Sequence, residues 1–266
     1  MNGFSEIEDT TFVPMLGRIY ASKNFPKILN DQKALELEEK LPKNIKGKET
    51  QTQYTLLAGA IRSANMDRYI QDFLKRKENG VIVELGCGLE TTFYRNNNNK
   101  TKWYEVDLEN VIKLRKNLLG ENKLYELISS SAFSEEWIKK VRSKYPNEPI
   151  LVTISGLLFY FEKEEVYNLI RFLKKYGDIE IVFDIFNSMA MKNVHRYMKQ
   201  VGHEEVKMYF YLDEVETIKK DLELKYIIEE PYYKNINKKG MGFKTKMTMK
   251  ISDLFRMVKM IHIKLK

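Results

Sequence analysis

Cysteine is nearly absent from this chain of 266 residues: Cys87 stands alone, which excludes an intrachain disulfide and any multi-cysteine metal site. Long apolar runs are missing too. Hydrophobic residues make up 43% of the chain, yet no uninterrupted stretch approaches the ~20 residues that span a bilayer. Met1 to Pro14 carries Glu6, Glu8 and Asp9 and has no basic stretch leading into an apolar one, so no secretory leader is expected and the cytoplasm is the expected compartment. Histidine is scarce. His195, His203 and His262 lack the paired spacing of a zinc-binding helix, so they are expected at the surface and no metal is expected. The net charge of +8 has neither an RNA-binding aromatic signature nor an Arg/Gly-rich tail beside it. Lysine and asparagine are abundant throughout, as in Asn96-Asn-Asn-Asn-Lys100, a bias of composition typical of some bacterial genomes that explains the charge without a nucleic-acid partner.

The apolar pattern is that of an α/β protein. Two helical stretches lie around Pro26 within residues 12–41, residues 42–48 read as a polar linker, and apolar residues at helical spacing predict one long helix over 52–77, stopped by Asn79-Gly80. Short β-rich runs follow at 81–85, 102–106, 124–128, 150–155 and 180–185, separated by helical patterns at 109–119, 135–144 and 163–176. This alternation predicts a doubly wound, mostly parallel sheet, with residues 1–50 as a helical cap and 51–266 as the main domain. Towards the end, Asp213-Glu-Val-Glu216 resembles a capping box opening a helix, and strands are expected at 225–229 and 243–250. Residues 244–266 hold seven basic residues against one acid, Asp253, with apolar residues interleaved. A strand and a helix packed on the domain is the preferred account of that tail over a membrane-surface helix.

The chemistry is concentrated in residues 81–107. Val81-Ile-Val-Glu84-Leu predicts a buried strand, and Gly86-Cys87-Gly88 a tight turn in which backbone can approach a ligand closely. Glu84 beside the turn, and Asp107 at the end of the next strand, add carboxylates. Asp107 lies 21 residues after Gly86, where a carboxylate accepts hydrogen bonds from both ribose hydroxyls of an adenosine-type cofactor. The third glycine of a dinucleotide fingerprint would fall at position 91, which is Thr91. That absence favours S-adenosylmethionine, which has no phosphate, over a nicotinamide dinucleotide. An ordinary strand, turn and helix with incidental glycines is the remaining alternative.

The run Glu84-Leu-Gly-Cys-Gly-Leu-Glu-Thr-Thr-Phe-Tyr-Arg95, followed by Trp103-Tyr-Glu-Val-Asp107-Leu108, resembles the leucine carboxyl methyltransferase superfamily, including its bacterial polyketide O-methyltransferase branch. Gly17-Arg18-Ile-Tyr-Ala-Ser, Ile28-Leu-Asn-Asp31 and Ser155-Gly-Leu-Leu-Phe-Tyr160-Phe161 match further family patterns in order. The resemblance implies a seven-stranded, Rossmann-like methyltransferase sheet that binds S-adenosylmethionine and releases S-adenosylhomocysteine. It implies that Arg62 clamps the methionine carboxylate of the cofactor, with Arg18 as a second candidate, and that Glu84, Gly86, Gly88, Asp107 and Leu108 surround the rest. Ser131 and Phe133 fall where the family holds the adenine. Two departures stand near the cofactor: Ser155 where the family usually has glutamate, and Glu90 where it often has aspartate.

No Asp/Asn-Pro-Pro-aromatic motif of amino-methylating enzymes occurs, so the expected acceptor is an oxygen, a carboxylate or hydroxyl of a small molecule. A carboxylate needs no general base; a phenol would need help from a group such as Asp184 or His195. Methylation of a protein C-terminus, and cofactor binding without catalysis, are the competing readings. Cys87 is expected to fill space in the turn. No catalytic residue and no oligomeric state can be read from the pattern.

Overall fold

The computed structural model describes residues 6–42, 45, 51–200 and 207–266. Helices α1 (Glu6–Asn24) and α2 (Gln32–Leu37) precede the long α3 (Gln53–Arg76). Then strand and helix alternate: β1 (Val81–Leu85), α4 (Thr92–Asn96), β2 (Lys102–Asp107), α5 (Glu109–Leu119), β3 (Tyr125–Ser129), α6 (Glu136–Lys144), β4 (Ile150–Ile154), α7 (Lys163–Leu173), β5 (Ile179–Phe186) and α8 (Ser188–Gln200). The last part is α9 (Val215–Asp221), β6 (Tyr226–Pro231), α10 (Phe243–Leu254) and β7 (Val258–Lys264).

The sheet has seven strands in the order β3-β2-β1-β4-β5-β7-β6. The first five are parallel, and β7 runs antiparallel between β5 and β6. Parallel strands covered by helices on both faces read as continuous apolar runs, and β1 and β4 are buried at every position. Alternate residues divide the core. Val81, Val83 and Leu85 pack with Trp137, Ile138 and Val166 of α6 and α7, whereas Ile82 packs with Ile61, Ile70 and Phe73 of α3. A third cluster joins Phe12, Met15 and Ile19 of α1 to Ala34 and Leu37 of α2 and to Leu89, which seats the N-terminal helices over the glycine turn.

Local signals set the element ends. Thr52 caps α3, with its hydroxyl accepting from the Thr55 amide, and Asp31 caps α2 by accepting from the Ala34 amide at 2.9 Å. Strand order reverses between β1 and β4, each beside the other but leading away in opposite directions, and such a switch point opens a crevice at the carboxyl ends of the strands.

Three expectations fail in the last third. Within 243–250, residues 246–250 alternate Lys and Thr with Met, which mimics a strand, but the segment forms α10, because Thr245, Met249 and Ser252 share one helical side against the body of the protein. The final strand comes after it, as β7. The capping box at Asp213 does not form: Asp213 Oδ1 instead accepts from the Ser188 amide at 2.8 Å, and α9 starts without a side-chain cap. His262 is buried, not superficial, with Nε2 2.7 Å from Glu180 Oε2. His195 is exposed as expected, and His203 lies outside the described residues, as does most of the linker over 42–48.

Candidate functional site

A cavity of about 530 Å³ opens where β1, β2 and β4 end. Its floor is the glycine turn. Gly86 and Gly88 take φ of +65° and +47°, a region that favours glycine, and the amides of Gly86 and Cys87 donate to Val106 O of β2 at 2.8 and 3.2 Å. Asp107, at the end of β2, closes the turn from the other side: Oδ2 accepts from the Gly88 amide at 2.8 Å and Oδ1 from the Leu108 amide at 2.7 Å. Burial raises the Asp107 carboxyl, and these two amides pull it back down. Each of its oxygens has a further lone pair free to accept from another donor, and Asp107 lines the cavity.

Two buried arginines hold the turn's carbonyls. Arg115 of α5 donates to Gly88 O at 3.0 Å and Glu90 O at 2.6 Å while its Nε meets Glu105 at 2.6 Å. Arg18 of α1 donates to Leu89 O and to Glu90 Oε1, each at 2.7 Å, with Asp31 3.3 Å from its Nε. Arg95 extends the network to Asp31 and Asp67, both at 2.7 Å. Although burial works against it, Arg18, Arg95 and Arg62 together keep the Glu90 carboxyl below its ordinary range. Arg18 thus lines the cavity with its terminal nitrogens already engaged. Thr91, in the place of a third glycine, donates its hydroxyl to Asp31 and receives Arg95 at 2.8 Å, which fills the space a dinucleotide pyrophosphate fingerprint leaves open.

The opposite wall is the end of β4. Ser155 Oγ is buried against the cavity and has no hydrogen-bond partner among the described residues. Gly156 has φ of +68°, its amide donates to Asp184 Oδ1 at 2.7 Å, and a Cβ there would stand 2.3 Å from Nη1 of Arg62. Arg62 sits 3.6 Å from Asp184 Oδ2; burial lowers its basicity, but Asp184, together with Tyr232, Glu90 and Tyr160, more than offsets this, so the guanidinium stays charged. Gly156→Ala is expected to strain the backbone by roughly 1–2 kcal/mol and to push the guanidinium aside. The measurable outcome is a cofactor affinity reduced at least about tenfold with a modest loss of thermal stability; unchanged affinity would contradict this placement of Arg62.

Aromatic side chains close the rest. Phe133 packs on Phe161 with ring centroids 4.2 Å apart, Phe159 and Tyr160 continue the wall, and Lys207 stands at the rim. Ser131 and Leu108 are exposed on the same rim, and the Ser131 hydroxyl accepts from the Phe133 amide at 3.2 Å. Asp184 and His195 do not line the cavity; Asp184 acts through Arg62 and Gly156.

Of the residues expected around the cofactor, Arg18, Arg62, Gly86, Gly88, Asp107, Leu108, Ser131, Phe133 and Ser155 all line this one cavity. Glu84 does not. It lies within β1, buried, accepting from Trp103 Nε1 at 2.6 Å, so it is a core carboxyl on the far side of the turn. Burial, and then the neighbouring Glu105, push its carboxyl up to about 8. A carboxyl that binds its proton more tightly when folded loses stability as pH rises from its unfolded value near 4.5 towards 8. Glu84→Gln, which keeps an acceptor for Trp103, is therefore expected to raise the melting temperature at pH 8–9 and to leave it unchanged below about pH 5. Equal shifts at both ends, read by calorimetry, would contradict a neutral Glu84.

Arg115, Glu105, Asp31, Arg95 and Asp184 support the site, and although some of them fall within the family-like runs, none is marked there as a support. Their partners lie 10 to 72 or more residues away in several cases, as with Arg115 and Glu105 or Arg18 and Glu90. Among the described residues, no group of His, Cys, Asp and Glu could hold a metal.

The comparisons agree with this geometry. Every residue lining the cavity except Lys207 falls inside residues 14–174, which match the family model described as leucine carboxyl methyltransferase. The tetracenomycin polyketide synthesis O-methyltransferase TcmP of Streptomyces glaucescens is 26% identical over 166 residues, covering 62% of this chain and 60% of that protein. The S-adenosyl-L-methionine-dependent methyltransferase dpfgK of Gibberella zeae is 23% identical over 178 residues, covering 62% and 59%. The chain thus spans about three fifths of the length of these curated relatives. A DUF574 family protein from Streptomyces avermitilis shares the fold, with a TM-score of 0.57 at 12% identity over 93% of this chain and 96% of its own. With the model matching more than half of its length and the matched region building the cavity, the chain belongs to the leucine carboxyl methyltransferase family.

Proposed function

We propose that this protein is an S-adenosylmethionine-dependent O-methyltransferase acting on a carboxylate or hydroxyl of a small molecule. The observation that carries the reading is the donor and acceptor set around one cavity: the Asp107 carboxylate, the charged Arg62 guanidinium and the unpartnered Ser155 hydroxyl. These match, in turn, a ribose diol, a carboxylate and an ammonium, which are the polar groups of S-adenosylmethionine. When bound, that cofactor supplies a methyl group on a sulfonium, ready for transfer to a nucleophilic oxygen. The positive-φ turn at Gly86 and Gly88 leaves backbone, not side chains, facing the ligand. Phe133 and Phe161 offer apolar surface for a flat base, and Phe159, Leu157 and Tyr160 exclude water from the acceptor's side.

Catalysis on this reading rests on alignment. Oriented reactants in a dry pocket gain up to roughly 7–11 kcal/mol of the barrier, and a carboxylate acceptor is already ionised at neutral pH. Asp184 is held between Arg62 and the Gly156 amide and does not line the cavity, and the two carboxylates that do, Asp107 and Glu90, are already engaged by the Gly88 and Leu108 amides and by Arg18. Ser155 in place of the family's usual glutamate removes one charge from the ammonium's surroundings, which predicts weaker binding than an acidic residue gives. Titration calorimetry with S-adenosylmethionine and S-adenosylhomocysteine tests the reading. Binding of both, followed by methylated products in a mass-spectrometric screen of carboxylic acids and phenols, is the expected result. Failure to bind either ligand rejects it, and binding without turnover on any acceptor leaves a silent binding module instead.

A further inference from the structure

The outer side of α10 is apolar where a surface helix is ordinarily polar. Phe243, Met247, Ile251 and Leu254, with Phe255 just past the helix end, are 80, 39, 45, 72 and 53% exposed. They recur three or four residues apart and so share one side, while the inward side carries Thr245, Met249 and Ser252. This reverses the usual arrangement, in which an amphipathic helix turns its apolar stripe to the core. A contiguous exposed apolar stripe rimmed by charge marks an interaction surface.

The rim is basic. Lys244, Lys246 and Lys250 lie on the helix and Arg256 follows it, and the three lysines make no ion pair with any described residue. The single acid of the helix, Asp253, accepts from the Tyr233 amide at 2.9 Å and is drawn inward. We propose that α10 docks this protein on an anionic lipid surface, with Phe243, Ile251 and Leu254 entering the interface and the lysines meeting anionic headgroups. Amphipathic helices bind such surfaces by apolar burial together with attraction of each basic residue to the negative leaflet. A second copy of the chain is the poorer occupant, because two-fold pairing of this helix sets one lysine-rich rim against another with no free carboxylate between them. The position of the helix gives the docking a direction. Phe255 O accepts from Asn187 Nδ2 at 2.9 Å, and Asn187 follows β5, so α10 ends at the same end of the sheet as the cavity. A docked protein holds the cavity end close to lipid. The docking stands apart from the transferase reading and is tested without cofactor.

Flotation of the full chain with vesicles of phosphatidylcholine, alone or with about one third phosphatidylserine, tests it. Binding is expected to be at least about tenfold stronger on the anionic vesicles and to fall as salt rises. The triple variant Phe243→Ser, Ile251→Ser, Leu254→Ser should lose at least about tenfold in binding, and Lys244→Gln, Lys246→Gln, Lys250→Gln should reduce it to the level on neutral vesicles. All six positions lie outside the core, so melting temperatures close to wild type are expected and verify folding. Absence of wild-type binding to anionic vesicles, binding that survives the serine variant, or a wild-type dimer that the serine variant dissociates would each overturn the proposal.

Discussion

Asp107→Ala is expected to weaken S-adenosylhomocysteine binding on the order of 100-fold or more, with little loss of stability. The physical reason is the number of hydrogen bonds that one carboxylate serves. It already accepts from the Gly88 and Leu108 amides, and on the proposed reading its remaining lone pairs accept from two ribose hydroxyls. Hydrogen bonds to a charged group contribute about 1.5–3 kcal/mol each, and every 1.4 kcal/mol is about tenfold in affinity. Stability changes less, roughly 1 kcal/mol, because Asp107 is only half-buried and water reaches the two amides it leaves. Asp107→Asn should fall between the two, since an amide nitrogen would face one of the donors now held. The ionised form is the acceptor, so binding should decline as pH falls through the Asp107 carboxyl, which burial raises, and at a higher pH than an exposed aspartate would give. Wild-type affinity in Asp107→Ala, measured by calorimetry, would remove the ribose from this end of β2.

Arg115→Met is the substitution expected to affect stability most. Arg115 and Glu105 are fully buried, and Glu105, with smaller help from Cys87 and Glu84, offsets burial and keeps the guanidinium charged. Removing one partner leaves a carboxylate in the core unpaired, a loss of roughly 3–5 kcal/mol and a fall in melting temperature on the order of 10 °C. The pair also does something a merely structural salt bridge would not, since Arg115 reaches Gly88 O and Glu90 O. The double variant Arg115→Met, Glu105→Leu, which removes both charges, should recover most of the stability. It should not recover cofactor affinity, because the turn's carbonyls remain unheld. Recovery of both in the double variant would reduce Arg115 to a stabilising role alone.

The site divides along similar lines. Gly86, Gly88, Asp107 and Ser155 were legible because each sits at a fixed distance from the end of its own strand, and the strand pattern is a local property of the chain. Glu84 was misjudged, since alternation along β1 turns it away from the cavity towards Trp103, and which face of a parallel strand meets a ligand depends on its neighbours. Arg18 was legible as a motif residue but not as a clamp on Leu89 O and Glu90, a contact made across 71 and 72 residues. The helix α10 was misread for a different reason: residues 246–250 alternate like a strand, and the apolar residues at helical spacing, Phe243, Met247, Ile251 and Leu254, face outward instead of marking a buried side.

By itself the sequence determined the alternation of strands and helices from residue 53 to residue 186, the tight glycine turn, and the carboxylate that faces it. These follow from local backbone preference and from apolar spacing within single elements. Tertiary structure alone decided that β7 is inserted between β5 and β6, that Arg18 and Arg115 hold the turn from both sides, that Asp184 fixes Arg62 against Gly156, and that α10 turns its apolar side outward. Each is a pairing between segments far apart in the chain, selected by which buried groups find partners when the whole sheet closes, and no local pattern encodes it.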